Sequence, residues 1–253
     1  MNHNISRRHA IGLGLGFAGA AVAGCKLEVP PSPPDPLDQL RLTAVPKAPT
    51  QTVTPGQITL DVGTRTALMY VPQGYDPTHP APVVLTLHGA GGNAQDPINV
   101  FKDLADQTGL ILVSCKSLQP TWGGIFGDYS DDIPLFDQVM KMAFDMCNID
   151  PARVGIEGFS DGASYALQVG RANGDLFHKV VSFSAGLLLF TTGIQKPKFF
   201  IAHGVADAII NVNVGRSIAN QLASVYEVTY HEHQGGHEIP QAVAQDAVTF
   251  LTT

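Results

Sequence analysis

Short, almost wholly apolar runs recur along this chain, at residues 67–71, 83–87, 110–114, 154–157, 180–184, 199–203 and 225–230, most of them separated by helical segments. A strand that is apolar on alternate residues buries one face, whereas one that is apolar almost throughout buries both. Buried strands alternating with helices predict an α/β fold: a mostly parallel central sheet with helices on both faces. Most connections are short, and no insertion long enough for a large lid separates the runs at 180 and 199. Hydrophobic residues make up 44% of the 253, enough for a sizeable core. A formal charge of −7 with no basic run argues against nucleic acid as a partner.

One run ends in Gly158-Phe159-Ser160-Asp161-Gly162, and the segment after it, Ser164 to Gly170, is helical in pattern. A serine on a tight strand-to-helix turn sits at a strained backbone position, with its oxygen exposed above the sheet. Glycines two residues either side avoid collisions with the neighbouring strand and helix. Ser160 is therefore the candidate nucleophile. A hydroxyl is a poor nucleophile at neutral pH, so a base must take its proton and a third group must orient that base.

Nine histidines compete to be the base. His3 and His9 lie near the N-terminus and His79 in a proline-rich loop, while His178 and His203 sit at strand ends and read as structural. His231 and His233 form an H-x-H pair with no third ligand at a convincing spacing, so no metal is expected, and no cofactor is called for. His237 follows the last strand in Gly235-Gly236-His237-Glu238, where two glycines are expected to let the loop swing the imidazole over Ser160. The acid should lie between serine and histidine. Asp207 does so, just beyond the carboxyl end of the run at 199–203, where parallel sheets present functional groups. Its rival Asp175 lies in a surface-turn sequence, Asn173-Gly174-Asp175.

Attack on an ester carbonyl creates an oxyanion that backbone N–H groups must stabilise. His88-Gly89-Ala90-Gly91-Gly92-Asn93 follows a buried-looking strand and lacks the spacing of a nucleotide-binding loop. The donors expected are the N–H of Ala90, with Gly91 as an alternative, and the N–H of Asp161. Gly91 and Trp122 are the candidate substrate-binding residues. Trp122, Phe126 and Tyr129 either wall the pocket or fill the edge of the core.

Taken in order, HGAGGNA, GFSDGA, HGVADAIINV and GGHEIP resemble an α/β-hydrolase serine esterase, from about Gln57 to the end. The resemblance is to the phospholipase/carboxylesterase group and to polyhydroxybutyrate-depolymerase-like and feruloyl esterases. It implies Ser160, Asp207 and His237 as a triad, with Ala90 and Asp161 as oxyanion donors, in agreement with the residue-level reading. Asp161 stands where depolymerase-like members often carry alanine and several carboxylesterases glutamine. Carboxylic-ester hydrolysis leads; thioester, polyester and feruloyl ester hydrolysis are alternatives within enzymes, and an inert lipid-anchored binding module is the alternative outside them.

The N-terminus bears on location. Ser6-Arg7-Arg8 precedes an apolar segment, Ile11 to Gly24, too short to span a membrane and readable as a twin-arginine signal peptide over residues 1–24. Val22-Ala23-Gly24-Cys25 resembles a lipobox, which would lipidate Cys25 and hold the chain at the cell envelope. Residues 25–56 open with Pro30-Pro31-Ser32-Pro33-Pro34 and are expected to be a tether that buries no core. Residues 57–253 would then be the catalytic domain. Cys115 and Cys147 remain, and their spacing alone leaves a disulfide open.

Overall fold

The computed structural model describes residues 36–189 and 193–253. In chain order its elements are a short helix α1 (Pro36–Gln39), β1 (Gly56–Leu60), β2 (Ala67–Val71), β3 (Ala81–Leu87), α2 (Gln95–Thr108), β4 (Ile111–Cys115), α3 (Asp132–Met146), β5 (Ile149–Phe159), α4 (Asp161–Ala172), β6 (Lys179–Phe183), β7 (Lys198–Gly204), α5 (Val212–Ala223), β8 (Val228–His233) and α6 (Gln241–Thr252). A 3₁₀ turn, Gly123–Phe126, lies between β4 and α3.

The eight strands form one sheet in the order β1-β2-β4-β3-β5-β6-β7-β8. β1 and β2 pair antiparallel, β2 runs antiparallel to β4, and every later pairing is parallel. The apolar runs at 83–87, 110–114, 154–157, 180–184 and 199–203 occupy the parallel centre, as expected of strands covered on both faces, whereas the run at 67–71 is β2, antiparallel to both neighbours, and that at 225–230 leads into the half-buried edge strand β8. On one face Leu85, Leu87, Val113, Ile156 and Ile201 pack with α3, α4 and α5; on the other Val84, Leu112, Val181 and Ala202 pack with α2 and α6. β1 joins the sheet at an edge, partly exposed along Gly56–Thr59.

The expected tether at 25–56 is corrected where the structure describes it. Leu40, Leu42 and Ala44 are buried in the main core. Arg41 makes a bidentate ion pair with Asp175 and donates to the Ala172 carbonyl, and the Asn173 amide brackets Leu40 and Leu42. Farther on, Asp137 accepts from the N–H groups of Thr43 and Ala44, and Asp145 from those of Thr50 and Gln51. The prolines cluster before residue 37, whereas the alternation of Leu40, Leu42 and Ala44 supplies an apolar face that α3 and α4 cover. Residues 1–35, with the signal segment, Cys25 and most of the proline cluster, lie outside the described residues.

Among the described residues no helix is long and apolar enough to cross a membrane. Cys115 and Cys147 are free thiols, both buried, and burial pushes the Cys147 thiol up to about 12.

Candidate active site

Ser160 stands between β5 and α4 with φ 56°, a region that residues bearing a Cβ rarely occupy. The flanking glycines have a steric cause. A Cβ at Gly158 would collide with the Gly162 carbonyl, and one at Gly162 with the Leu87 carbonyl at the end of β3. The turn is held from below by the Ser160 N–H, which donates to the Phe183 carbonyl of β6 at 2.8 Å.

His237 Nε2 lies 2.9 Å from Ser160 Oγ, and His237 Nδ1 lies 2.7 Å from Asp207 Oδ2. A carboxylate only accepts, so Nδ1 carries the hydrogen towards Asp207 and Nε2 is left to accept from the serine hydroxyl. Burial would raise the Asp207 carboxyl, but the Ile210 N–H, His237 and the Ile209 N–H outweigh it and hold the group below the usual carboxylate range. Asp207 thus stays ionised at neutral pH. His203, 3.4 Å from Asp207, is tied by Nε2 to the Ile210 carbonyl and buttresses this loop.

The loop bearing His237 is stitched down rather than free to swing. The Val205 and Ala206 N–H groups donate to the carbonyls of His233 and Gly235, and a Cβ at Gly204 would collide with the Gly235 and Gly236 carbonyls. The glycines serve close approach of two loops, and Phe159 packs on the imidazole at 4.7 Å between ring centres.

Across the serine, the Ala90 N–H has no partner among the described residues, and the Asp161 N–H opens α4, where no intrahelical acceptor exists. The Gly91 N–H is taken by the Pro120 carbonyl at 2.6 Å, which removes it as an oxyanion donor, and Gly91 does not line the cleft beside His237. Trp122 is fully buried, so it does not wall a pocket. Its indole N–H donates to the His88 carbonyl at 2.8 Å and its ring packs on His88, Phe136 and Tyr165. His88 is locked in turn, with Nδ1 donating to the Gly89 carbonyl and Nε2 accepting from the Ser117 N–H. Burial pushes its pKa down, consistent with a neutral ring. Trp122 and His88 therefore hold the 88–93 loop in shape. Thr121, which the sequence did not single out, donates to the Asp161 carboxylate at 2.7 Å and fixes the side chain after the serine. Tyr129 is buried as well, whereas Phe126 is exposed.

A cleft of about 340 Å³ opens beside His237, with apolar walls that include Leu87, Pro97, Val100, Phe101, Phe159 and Ile239. Leu118 and Phe126 beyond β4 and Ile209 beyond β7 are exposed apolar residues on loops at the same sheet edge as Ser160.

Comparison with known proteins agrees with this fold. Solved structures with the same architecture include esterase PE8, at a TM-score of 0.59 and 22% identity over 79% of this chain and 98% of that one. A ferulic acid esterase from Anaeromyces mucronatus in complex with ferulic acid superposes with a TM-score of 0.59, at 19% identity over 79% of this chain and 90% of its own. The chain has the α/β-hydrolase fold. Residues 128–253 of this α/β-hydrolase chain match the Phospholipase/Carboxylesterase family, a span that holds Ser160, Asp207 and His237 but not the 88–93 loop. Feruloyl esterase C of Emericella nidulans is 29% identical over 170 residues, 63% of this chain and 61% of that protein. The chain thus spans about three fifths of the length of the curated relatives it matches first.

Proposed function

We propose that this α/β hydrolase is a serine carboxylic-ester hydrolase. Ser160 Oγ attacks the ester carbonyl while its proton passes to His237 Nε2, and Asp207 holds the Nδ1–H and balances the imidazolium charge. The Ala90 and Asp161 N–H groups receive the oxyanion. Collapse expels the alcohol, which takes the proton from His237, and leaves an acyl group on Ser160. Water, deprotonated by His237, then releases the acid. The observation that carries this reading is the continuous hydrogen-bonded line from Ser160 through His237 to Asp207 on a turn at φ 56°. The family match and the esterase names of the relatives support it. Hydrolysis of feruloyl esters, the chemistry in the name of the Emericella nidulans relative, falls within the same mechanism. A fluorophosphonate should label the protein stoichiometrically, with the adduct on Ser160 by peptide mass spectrometry. An unlabelled protein, or a label elsewhere, would remove Ser160 from this role.

The same reading places the enzyme at the cell envelope through lipid on Cys25, on the strength of the Val22-Ala23-Gly24-Cys25 sequence alone. The full chain expressed in a bacterial host should fractionate with membranes and the Cys25→Ala variant should not; equal partition of the two would discard the anchor.

A further inference from the structure

Glu157 lies in the middle of the sheet, in β5 three residues before Ser160, and lines the cleft beside His237. It is only 2% exposed, and no hydrogen-bond partner for its carboxyl exists among the described residues, Oε2 being buried without one. A polar group left unpaired in a core is costly, and the cheapest occupant of this position would be apolar, as at the neighbouring Ile156 and Val154. Glu157 aligns with Thr86 of β3 and Val181 of β6, on the face covered by α2 and α6, so it forms the floor of a cleft whose walls are largely apolar. Gly89, Ala90 and His237, which flank Ser160 in the proposed mechanism, line the same cleft. Three residues along a strand place the floor roughly 10 Å below the serine. At about 340 Å³ the cleft is near the small end of the roughly 300–1,000 Å³ usual for small-molecule pockets, a size that suits a compact arm of the ester.

Building on the esterase reading, we infer that Glu157 is a specificity-determining residue that hydrogen-bonds a hydroxyl at the far end of a compact, otherwise apolar arm of the ester, so that the preferred substrates are esters of short hydroxylated groups. Burial holds this carboxyl well above the usual range, so it stands neutral, with one O–H to donate and a carbonyl to accept. A hydroxyl is matched by such a group on both counts, whereas an arm ending in a methyl leaves the carboxyl unpaired.

The test uses matched methyl esters of suitable reach, hexanoate against 6-hydroxyhexanoate and 3-phenylpropionate against 3-(4-hydroxyphenyl)propionate. The wild type is expected to favour the hydroxylated member of at least one pair in kcat/KM by about tenfold or more. The ratio should fall to near one in Glu157→Leu and persist in Glu157→Gln, whose amide also donates and accepts. Because each ratio is taken within one preparation, partial misfolding of a variant cancels. Calorimetric binding of the same pairs to a Ser160→Ala variant, alone and with Glu157→Leu added, reads the cleft without turnover. A binding preference that Glu157→Leu removes, in a protein that hydrolyses no ester, would sink the esterase reading and keep this one. Ratios near one with Glu157 in place, in turnover by the wild type and in binding to Ser160→Ala, or ratios unmoved by Glu157→Leu, would overturn the role given to Glu157.

Discussion

At Ser160 the backbone conformation costs a residue with a Cβ roughly 1–3 kcal/mol, a strain that glycine escapes. Ser160→Ala keeps the strain and Ser160→Gly releases it, so in urea denaturation the glycine variant should be the more stable of the two by about 1 kcal/mol. Equal stabilities would mean that the turn is not strained. The serine was legible in the sequence because its turn admits so few alternatives: both flanking glycines face carbonyl groups that leave no room for a Cβ. Trp122 was not legible in the same way. An aromatic residue in a glycine-rich loop suits a pocket wall and a core equally, and only its bond to the His88 carbonyl assigns it to the support of the 88–93 loop. Glu157 was one polar letter in an apolar run, and its place on the floor of a cleft depends on α2 and the His237 loop, which come from elsewhere in the chain.

Among the elements, the segment that follows α1 departs most from its composition. Its anchors lie 93 to 134 residues away in sequence, on α3 and just beyond α4, so no local pattern could announce them. Three of them are carboxylates. Bonds from Lys47, Thr50 and Gln51 lower Asp145 to about 2, and the Arg41 guanidinium lowers Asp175. Asp137 is also lowered, because bonds from Lys141 and Thr43 outweigh the opposing effect of burial. Groups depressed in the folded state contribute stability that is complete above the ordinary carboxylate value of 3.8 and is lost as pH falls through the folded values. Hydrogen exchange should therefore show residues 41–51 protected at neutral pH and opening below about pH 3, ahead of the central strands; protection that persists at pH 2 would show that the buried leucines, not the carboxylates, hold the segment. β1 escaped notice for a simpler reason, being a five-residue edge strand with only Leu60 fully buried.

For the molecule as a whole, the sheet order was the least legible feature, since β3 lies between β4 and β5 and no local signal specifies that neighbour relation. What could be read was the consequence of burial: strands covered on both faces are apolar almost throughout, and β3 to β7, which make up the parallel centre, fit that pattern, whereas β2 is as apolar but pairs antiparallel and β8 pairs in parallel at an edge with a polar, half-buried sequence. That parallel arrangement brings the carboxyl ends of β3, β5, β7 and β8 to one edge, where the 88–93 loop, Ser160, Asp207 and His237 converge from segments up to 149 residues apart. Hydrolysis of a p-nitrophenyl ester series from acetate to palmitate, by the wild type beside Ser160→Ala, tests the central claim most directly. The expected result is turnover that favours the shorter chains, in keeping with the small cleft, and that falls by about 10⁴-fold or more in Ser160→Ala. Turnover unchanged in Ser160→Ala would contradict the account.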